Sequence, residues 1–223
     1  MATKVEFLET PVSPPAIKGL YVITPDMADT AELLRRARLA LSGGASVVQY
    51  RNKSADAALR LQQASALRTL TREFAVPLIV NDDARLAAEV DADGVHLGAS
   101  DGALGAARAV LGIHKIIGIS CYNRLSLALD AVRAGADYVA FGAFFPSHVK
   151  PEAAVADDAL LREARTTLHV PLVAIGGITA YNGLPLVQAG AHALAVISAL
   201  FDAADIQVAA QEFSKLFIQD VAP

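Results

Sequence analysis

The chain has no tryptophan and a single cysteine, Cys121. One thiol forms no internal disulfide and no cysteine-rich zinc site, which removes the bridged secreted scaffold and the zinc module from consideration. Basic residues are in deficit: 19 Lys and Arg stand against 23 Asp and Glu, a net charge of −4. No basic stripe marks any segment, so nucleic acid is not an expected partner. The opening MATKVEFLETPVSPP lacks the apolar core of a signal peptide. The expectation is a cytoplasmic protein with a proline-punctuated leader over residues 1–19. Residues 166–201 contain no Asp, Glu, Lys or Arg, as a membrane span would. Pro171, Gly176, Gly177, Asn182, Gly183, Pro185 and Gly190 divide that stretch, however. A span needs about 20 continuous apolar residues, so two buried strands around a helix fit better and no membrane partner is expected.

What is abundant is apolar surface. The hydrophobic fraction is 54% and the mean hydropathy +0.40, as expected of strands covered on both faces, which are apolar throughout rather than alternating. Short apolar runs recur at Leu20–Ile23, Val47–Tyr50, Pro77–Val80, Gly94–Leu97, Ile116–Ile119, Tyr138–Phe141, Leu172–Ile175 and Leu194–Ile197. Between them, residues 31–41, 55–74 and 125–134 carry apolar side chains at three- and four-residue spacing, the period of helices. Gly44-Ala45, Asp93-Gly94, Gly135-Ala136 and Gly190-Ala191 precede the even runs, and Val-Pro-Leu opens the third and seventh at Val76 and Val170. Eight strands alternating with helices, with turn chemistry repeating every second unit, predict a single (β/α)8 barrel over residues 20–223. An open doubly wound sheet is the alternative.

In such barrels the chemistry gathers at the C-terminal ends of the strands. Gln49-Tyr50-Arg51-Asn52-Lys53 follows the second strand. In extended chain Gln49, Arg51 and Lys53 share one face, where a guanidinium fork, an ammonium and an amide suit a polyphosphate. Asn81-Asp82-Asp83 ends the third strand, and Asp101 follows the fourth. Each aspartate is a natural helix N-cap, but Asp82 and Asp101 facing one hard cation would also hold Mg²⁺ with substrate phosphates. Ile175-Gly176-Gly177-Ile178-Thr179, leading into a helix, has the form of a phosphate cup. Cys121 has no His–acid partner nearby and is expected to pack rather than attack; His96, inside a strand, is expected to be a satisfied core residue. His114, His169 and His192 have no metal-ligand spacing.

Taken together these segments resemble the thiamine phosphate synthases. The resemblance rests on Gln49-x-Arg51-x-Lys53, Asn81-Asp82, Ala92-Asp93-Gly94-Val95-His96-Leu97-Gly98, Gly118-Ile119-Ser120, Phe145-Pro146-Ser147-x-x-Lys150, Ile175-Gly176-Gly177-Ile178 and Ile197-Ser198-Ala199. They follow in order from about residue 20 to 200. The resemblance implies a Mg²⁺-assisted transferase. A 4-amino-5-hydroxymethyl-2-methylpyrimidine diphosphate loses pyrophosphate by a dissociative route, and the nitrogen of 4-methyl-5-(2-phosphoethyl)thiazole takes the methylene carbon. It also implies residue roles. Gln49, Tyr50, Arg51, Asn52, Lys53, Asn81, Ser120 and Lys150 would bind the pyrimidine diphosphate, with Arg51, Lys53, Ser120 and Lys150 catalytic. Ser147, His148, Val149, Gly177, Ile197 and Ser198 would bind the thiazole phosphate, and Asp82 and Asp101 the metal. Two positions depart from the family pattern: Gly142-Ala143 stands where Gly-Pro is frequent, and Val149 where a hydroxyl is frequent. A thiazole tautomerase-like paralogue and a non-catalytic sensing barrel are the alternatives; the Gln-x-Arg-x-Lys run and the paired aspartates favour the synthase. The expected partners are these small molecules, with homo-oligomers left open.

Overall fold

The structure is a computed structural model that describes residues 17–98, 103–146 and 156–218. Eight strands form it: β1 Gly19–Ile23, β2 Ala45–Tyr50, β3 Leu78–Asn81, β4 Gly94–Leu97, β5 Ile116–Tyr122, β6 Tyr138–Gly142, β7 Leu172–Ile175 and β8 Ala193–Val196. Each pairs in parallel with its neighbours in the chain, and β1 pairs with β8 to close the barrel. The outer layer contains α1 Thr30–Ser42, α2 Ala57–Glu73, α3 Ala84–Glu89, α4 Ala103–Leu111, α5 Leu125–Arg133, α6 Asp158–Thr167, α7 Leu184–Gln188, α8 Ser198–Phe201 and α9 Ile206–Lys215. The expected eight-stranded barrel is therefore present, and the open sheet is excluded. Residues 166–201 divide among α6, β7, α7, β8 and α8, and no helix among the described residues is long and apolar enough to cross a membrane.

Two apolar layers hold the barrel. Inward-facing Tyr21, Ile23, Val47, Ile79, Ile116, Tyr138, Val173 and Ala193 fill its centre, and their neighbours Leu20, Val22, Val48, Leu78 and Leu172 face the helices. Ile17 is buried in the inner layer and Gly19 already belongs to β1, so the barrel reaches back into the expected leader. The prolines of the two Val-Pro-Leu runs sit just outside their strands. Pro77 and Pro171 have no N–H to give, but their carbonyls accept from Val48 and Val139 (both 3.1 Å). That is why β3 begins at Leu78 rather than Pro77.

Aspartates start many of the helices. Asp29, Asp56, Asp83, Asp157 and Asp205 each accept an N–H three residues on, at 2.8–3.0 Å, satisfying donors that a helix start leaves open. At the barrel floor, side chains clamp consecutive strands. Asp93 accepts from Leu78 N (2.7 Å) and pairs with Arg68 (2.6 Å). Asp137 accepts from Ile117 N (2.7 Å) and pairs with Arg108 (2.7 Å). His192 Nδ1 fills the same place before β8, accepting from Leu172 N (2.9 Å). These three residues occupy equivalent positions in the repeating turns before the even strands.

Candidate active site

A cavity of about 810 Å³ opens at the C-terminal ends of the strands. Of the expected contacts, Gln49, Arg51, Lys53, Asn81, Asp82 and Ser120 line it, and Gly177, Ile197 and Ser198 line it as well. Strand alternation delivers the first group: β2 turns Val47 and Gln49 inward, and the same face continues to Arg51 and Lys53. Arg51 is pinned at both ends. Its N–H donates to the Thr24 hydroxyl (2.8 Å), which donates back to the Arg51 carbonyl (2.9 Å). Its guanidinium donates to Asp26 (2.8 Å), and the same carboxylate oxygen accepts from Lys53 N (2.9 Å). Asp26 thus orders the cationic arm from the loop after β1.

Tyr50 and Asn52 do not line the cavity, contrary to their expected contact with the diphosphate. Both are buried on the opposite face, where Tyr50 donates to Gln63 Oε1 (3.0 Å) and Asn52 Nδ2 donates to Met27 O (2.7 Å) and Gln63 Oε1 (3.0 Å). Burial pushes the Tyr50 hydroxyl up to about 12. The alternation that brings Gln49, Arg51 and Lys53 together necessarily turns their neighbours away.

Two adjacent aspartates follow the third strand and take different roles. Asp83 caps α3. Asp82 takes φ +62°, a left-handed conformation that Asp tolerates better than most residues, and its N–H donates to His96 O (2.8 Å). Its carboxylate lines the cavity and accepts from Asn81 Nδ2 (2.7 Å). The capping role therefore falls to Asp83 and leaves Asp82 free for other work. Tyr122, also lining the cavity, is a second non-glycine residue at positive φ (+53°).

Across the cavity, Gly176 and Gly177 take φ +104° and +63°. A Cβ on Gly177 would stand 2.6 Å from Pro146 O and 2.7 Å from Phe145 O, so the turn has room for glycine only. The helix expected straight after Thr179 is absent. Thr179 N donates to Asn182 Oδ1 (2.7 Å) and Asn182 Nδ2 to Gly177 O (3.1 Å), closing a turn, and α7 begins only at Leu184. The helix start that borders the cavity is that of α8, through Ser198 and Ala199, whose first N–H groups have no partner within the helix. Ala143 lines the cavity beside these glycines, after a cis Gly142–Ala143 bond. Asp101, Ser147, His148, Val149 and Lys150 lie outside the described residues.

Below the rim runs a polar chain that the sequence reading missed. Gln49 Nε2 donates to Tyr21 OH (3.0 Å), Tyr21 OH meets Tyr138 OH (2.8 Å), Tyr138 OH meets His96 Nδ1 (2.9 Å), and His96 Nε2 meets Ser120 Oγ (2.8 Å). Tyr21, His96 and Tyr138 line the cavity floor. Burial holds the imidazole neutral, lowering its pKa from 6.5 to about 4, and raises both tyrosine hydroxyls. Gly118 makes the chain feasible, since a Cβ there would stand 1.9 Å from the Tyr138 ring. Alternation along β5 from Ile116 through Gly118 turns Ser120 to the cavity, with Cys121 fully buried on the other face. Burial also lifts the Cys121 thiol to about 12, which fits the expected packing role. The signal for the chain was two tyrosines in strands otherwise apolar, whose hydroxyls require partners once buried.

Comparison with known proteins agrees with this geometry. The thiamine-phosphate synthase of Methylobacillus flagellatus is 56% identical over 203 residues, covering 91% of this chain and 97% of its own. That of Thiobacillus denitrificans is 56% identical over 199 residues, covering 89% and 94%. Among solved structures, thiamine phosphate pyrophosphorylase from Pyrococcus furiosus matches with a TM-score of 0.81 at 35% identity, covering 92% and 97%. An (S)-3-O-geranylgeranylglyceryl phosphate synthase from Thermoplasma acidophilum, with a TM-score of 0.68 at 18% identity over 90% and 93%, shares the fold alone. Residues 20–200 match the family model described as thiamine monophosphate synthase. A match that begins inside β1 and ends inside α8 takes in all eight strands, and the chain belongs to the thiamine monophosphate synthase family.

Proposed function

We propose that the chain is a transferase that joins a 4-amino-5-hydroxymethyl-2-methylpyrimidine diphosphate to 4-methyl-5-(2-phosphoethyl)thiazole, giving thiamine phosphate and pyrophosphate. The observation that carries this reading is a single cavity with a cationic, carboxylate-bearing side and a glycine-lined side. Its volume lies in the range of small-molecule sites, about 300–1,000 Å³. Arg51 and Lys53 would take the diphosphate, with Arg51 already oriented by Asp26 and Thr24. Gln49 and Ser120, held at the two ends of the polar chain, would orient the pyrimidine, and Asn81 would support Asp82. The backbone around Gly177 and the start of α8 at Ile197 and Ser198 would hold the thiazole phosphate, because N–H groups can approach an anion where no Cβ intervenes.

The donor set suits Mg²⁺. No group of three or more His, Cys, Asp or Glu gathers among the described residues, so a cage made by protein alone is not formed there. Mg²⁺ instead needs one or two carboxylates, water and substrate phosphate oxygens, and Asp82 would supply the first with Asp101 as its partner. Bound there, the ion would neutralise charge that builds on the departing pyrophosphate. The chain's own residues would do the rest. Arg51 and Lys53 stabilise the leaving group, the cavity floor orients the two rings, and Lys150 is proposed to add a third cation. Bond cleavage ahead of attack needs no protein nucleophile, in keeping with the inert state of Cys121. The substrates are small molecules, and the cytoplasm is the proposed site of action.

The test is direct. The purified protein, given both substrates and Mg²⁺, should release pyrophosphate and form thiamine phosphate, and neither product should accumulate when one substrate or the metal is withheld. Binding of thiazole phosphate without pyrophosphate release under those conditions would refute the synthase reading.

A further inference from the structure

The polar chain beneath the cavity crosses the barrel through five side chains on five different strands: Gln49, Tyr21, Tyr138, His96 and Ser120. Each link but the first could run in either direction. The first is set by the amide orientation: Gln49 presents Nε2 to Tyr21, and an amide nitrogen only donates. Tyr21 OH therefore accepts from Gln49, and its one hydrogen has Tyr138 as its acceptor (2.8 Å). Tyr138 must then give its own hydrogen to His96 Nδ1 (2.9 Å). With Nδ1 accepting, a neutral imidazole carries its hydrogen on Nε2, which donates to Ser120 Oγ (2.8 Å). The hydrogen left at the end of the chain is that of the Ser120 hydroxyl, on a half-buried residue lining the cavity.

The opposite order is the costly one. If Ser120 donated to His96, and His96 to Tyr138, and Tyr138 to Tyr21, the Tyr21 hydrogen would face the Gln49 amide nitrogen and have no acceptor among these partners. Tyr21 and Tyr138 are 1% and 0% exposed, so no bulk water would compensate. A buried unpaired donor is among the more expensive defects in a fold.

We infer that Tyr21, Tyr138 and His96 are positioning residues that transmit one direction of hydrogen bonding from Gln49, so that His96 is held as the Nε2–H tautomer and Ser120 faces the cavity as a donor. The substrate atom opposite Ser120 is then an acceptor, such as an unprotonated ring nitrogen, and not an amino group. The Gln49 carbonyl oxygen is free to take an amino group on the other side. This deepens the synthase reading and rests on it for the identity of the ring, but the direction of the chain is a property of the protein without substrate.

Nitrogen-15 NMR of the imidazole in the substrate-free protein tests it independently of activity. His96 should show Nε2 protonated and Nδ1 bare. The Nδ1–H tautomer would overturn the inference even if the protein proves to be an active synthase. Gln49→Glu supplies the second arm. At a pH where the carbon-13 shift of the introduced carboxyl reports it ionised, it accepts from Tyr21, every link should reverse and His96 should convert to Nδ1–H. An unchanged tautomer in that state would show that Gln49 does not set the direction. Tyr138→Phe breaks the chain at its centre. It should mix the two tautomers and lower kcat/KM roughly three- to ten-fold, the scale of one lost neutral hydrogen bond. A loss of activity with the His96 tautomer intact would sever the link between the chain and Ser120. Absence of synthase activity in the parent, with the NMR signature present, would instead remove the substrate reading alone.

Discussion

The buried imidazole of His96 should make the fold sensitive to mild acid, by an amount the structure allows to be worked out. In the unfolded chain a histidine protonates near 6.5; in the barrel, desolvation lowers this to about 4. Between these values the unfolded state binds the proton and the folded state does not, so stability is complete above pH 6.5 and falls as pH falls towards 4. At about 1.36 kcal/mol per pKa unit the loss comes to about 3 kcal/mol, against roughly 5–15 kcal/mol for a typical domain. Geometry points the same way. The imidazolium would carry hydrogens on both nitrogens, so Nδ1 could no longer accept from Tyr138 and the row of hydroxyls behind it would have to turn. The groups bonded to His96 are hydroxyls, with no carboxylate to rescue the charge. Urea unfolding of the parent and of His96→Gln, measured from pH 7.5 to 4, isolates the term. The variant starts less stable and the gap should narrow by about 3 kcal/mol on acidification. A gap that stays constant across that range would refute the reasoning. His192 titrates in the same direction, through burial and the nearby Arg165 charge, but it is present in both proteins and cancels.

Three further outcomes follow from the site. Gly118→Ala drives a methyl into the Tyr138 ring and should cost at least about 1–3 kcal/mol, read as a lower Tm and as a weakened floor of the cavity. Asp82→Asn keeps a residue type that tolerates positive φ and so removes charge alone; the fold should persist while the Mg²⁺ needed for half-maximal activity rises at least ten-fold, and an unchanged metal requirement would exclude Asp82 as a ligand. Gly177→Val places side-chain carbon against Pro146 O and Phe145 O and should weaken thiazole-phosphate binding more than diphosphate binding, as measured by calorimetry; equal weakening would indicate general misfolding.

The barrel was legible because its strands are apolar on both faces and its helices are not. All eight runs found their strands, with most ends displaced by no more than two residues, as at Pro77. β5 was the exception, running on to Tyr122 through a bulge that no apolar pattern marks. The cationic arm was equally legible, since Gln49, Arg51 and Lys53 need only extended backbone to share a face. Tyr50 and Asn52 were misplaced because contiguity in sequence was given more weight than alternation. The tyrosine–histidine chain was hidden for a different reason. Its members lie on five strands separated by up to 117 residues between bonded partners, and only barrel closure brings them together. His96 was expected to be a satisfied core residue; it is satisfied, but by groups that face the cavity.

The clamps at the barrel floor also bear on the order in which the barrel assembles. Asp93, Asp137 and His192 reach back only 15, 20 and 20 residues to the strand before their own. Closing such short loops sacrifices little chain entropy, and contacts close in sequence form fast. β3 with β4, β5 with β6 and β7 with β8 are thus suited to form as modules before the barrel exists. The β1–β8 seam has no such advantage, because it joins Gly19–Val22 to Ala193–Val196 from opposite ends of the chain. It should zip last on folding and part first on unfolding. That seam ends beside Ile197 and Ser198, so the α8 edge of the cavity borders the last joint to close, while Gly176 and Gly177 follow a strand that pairs early.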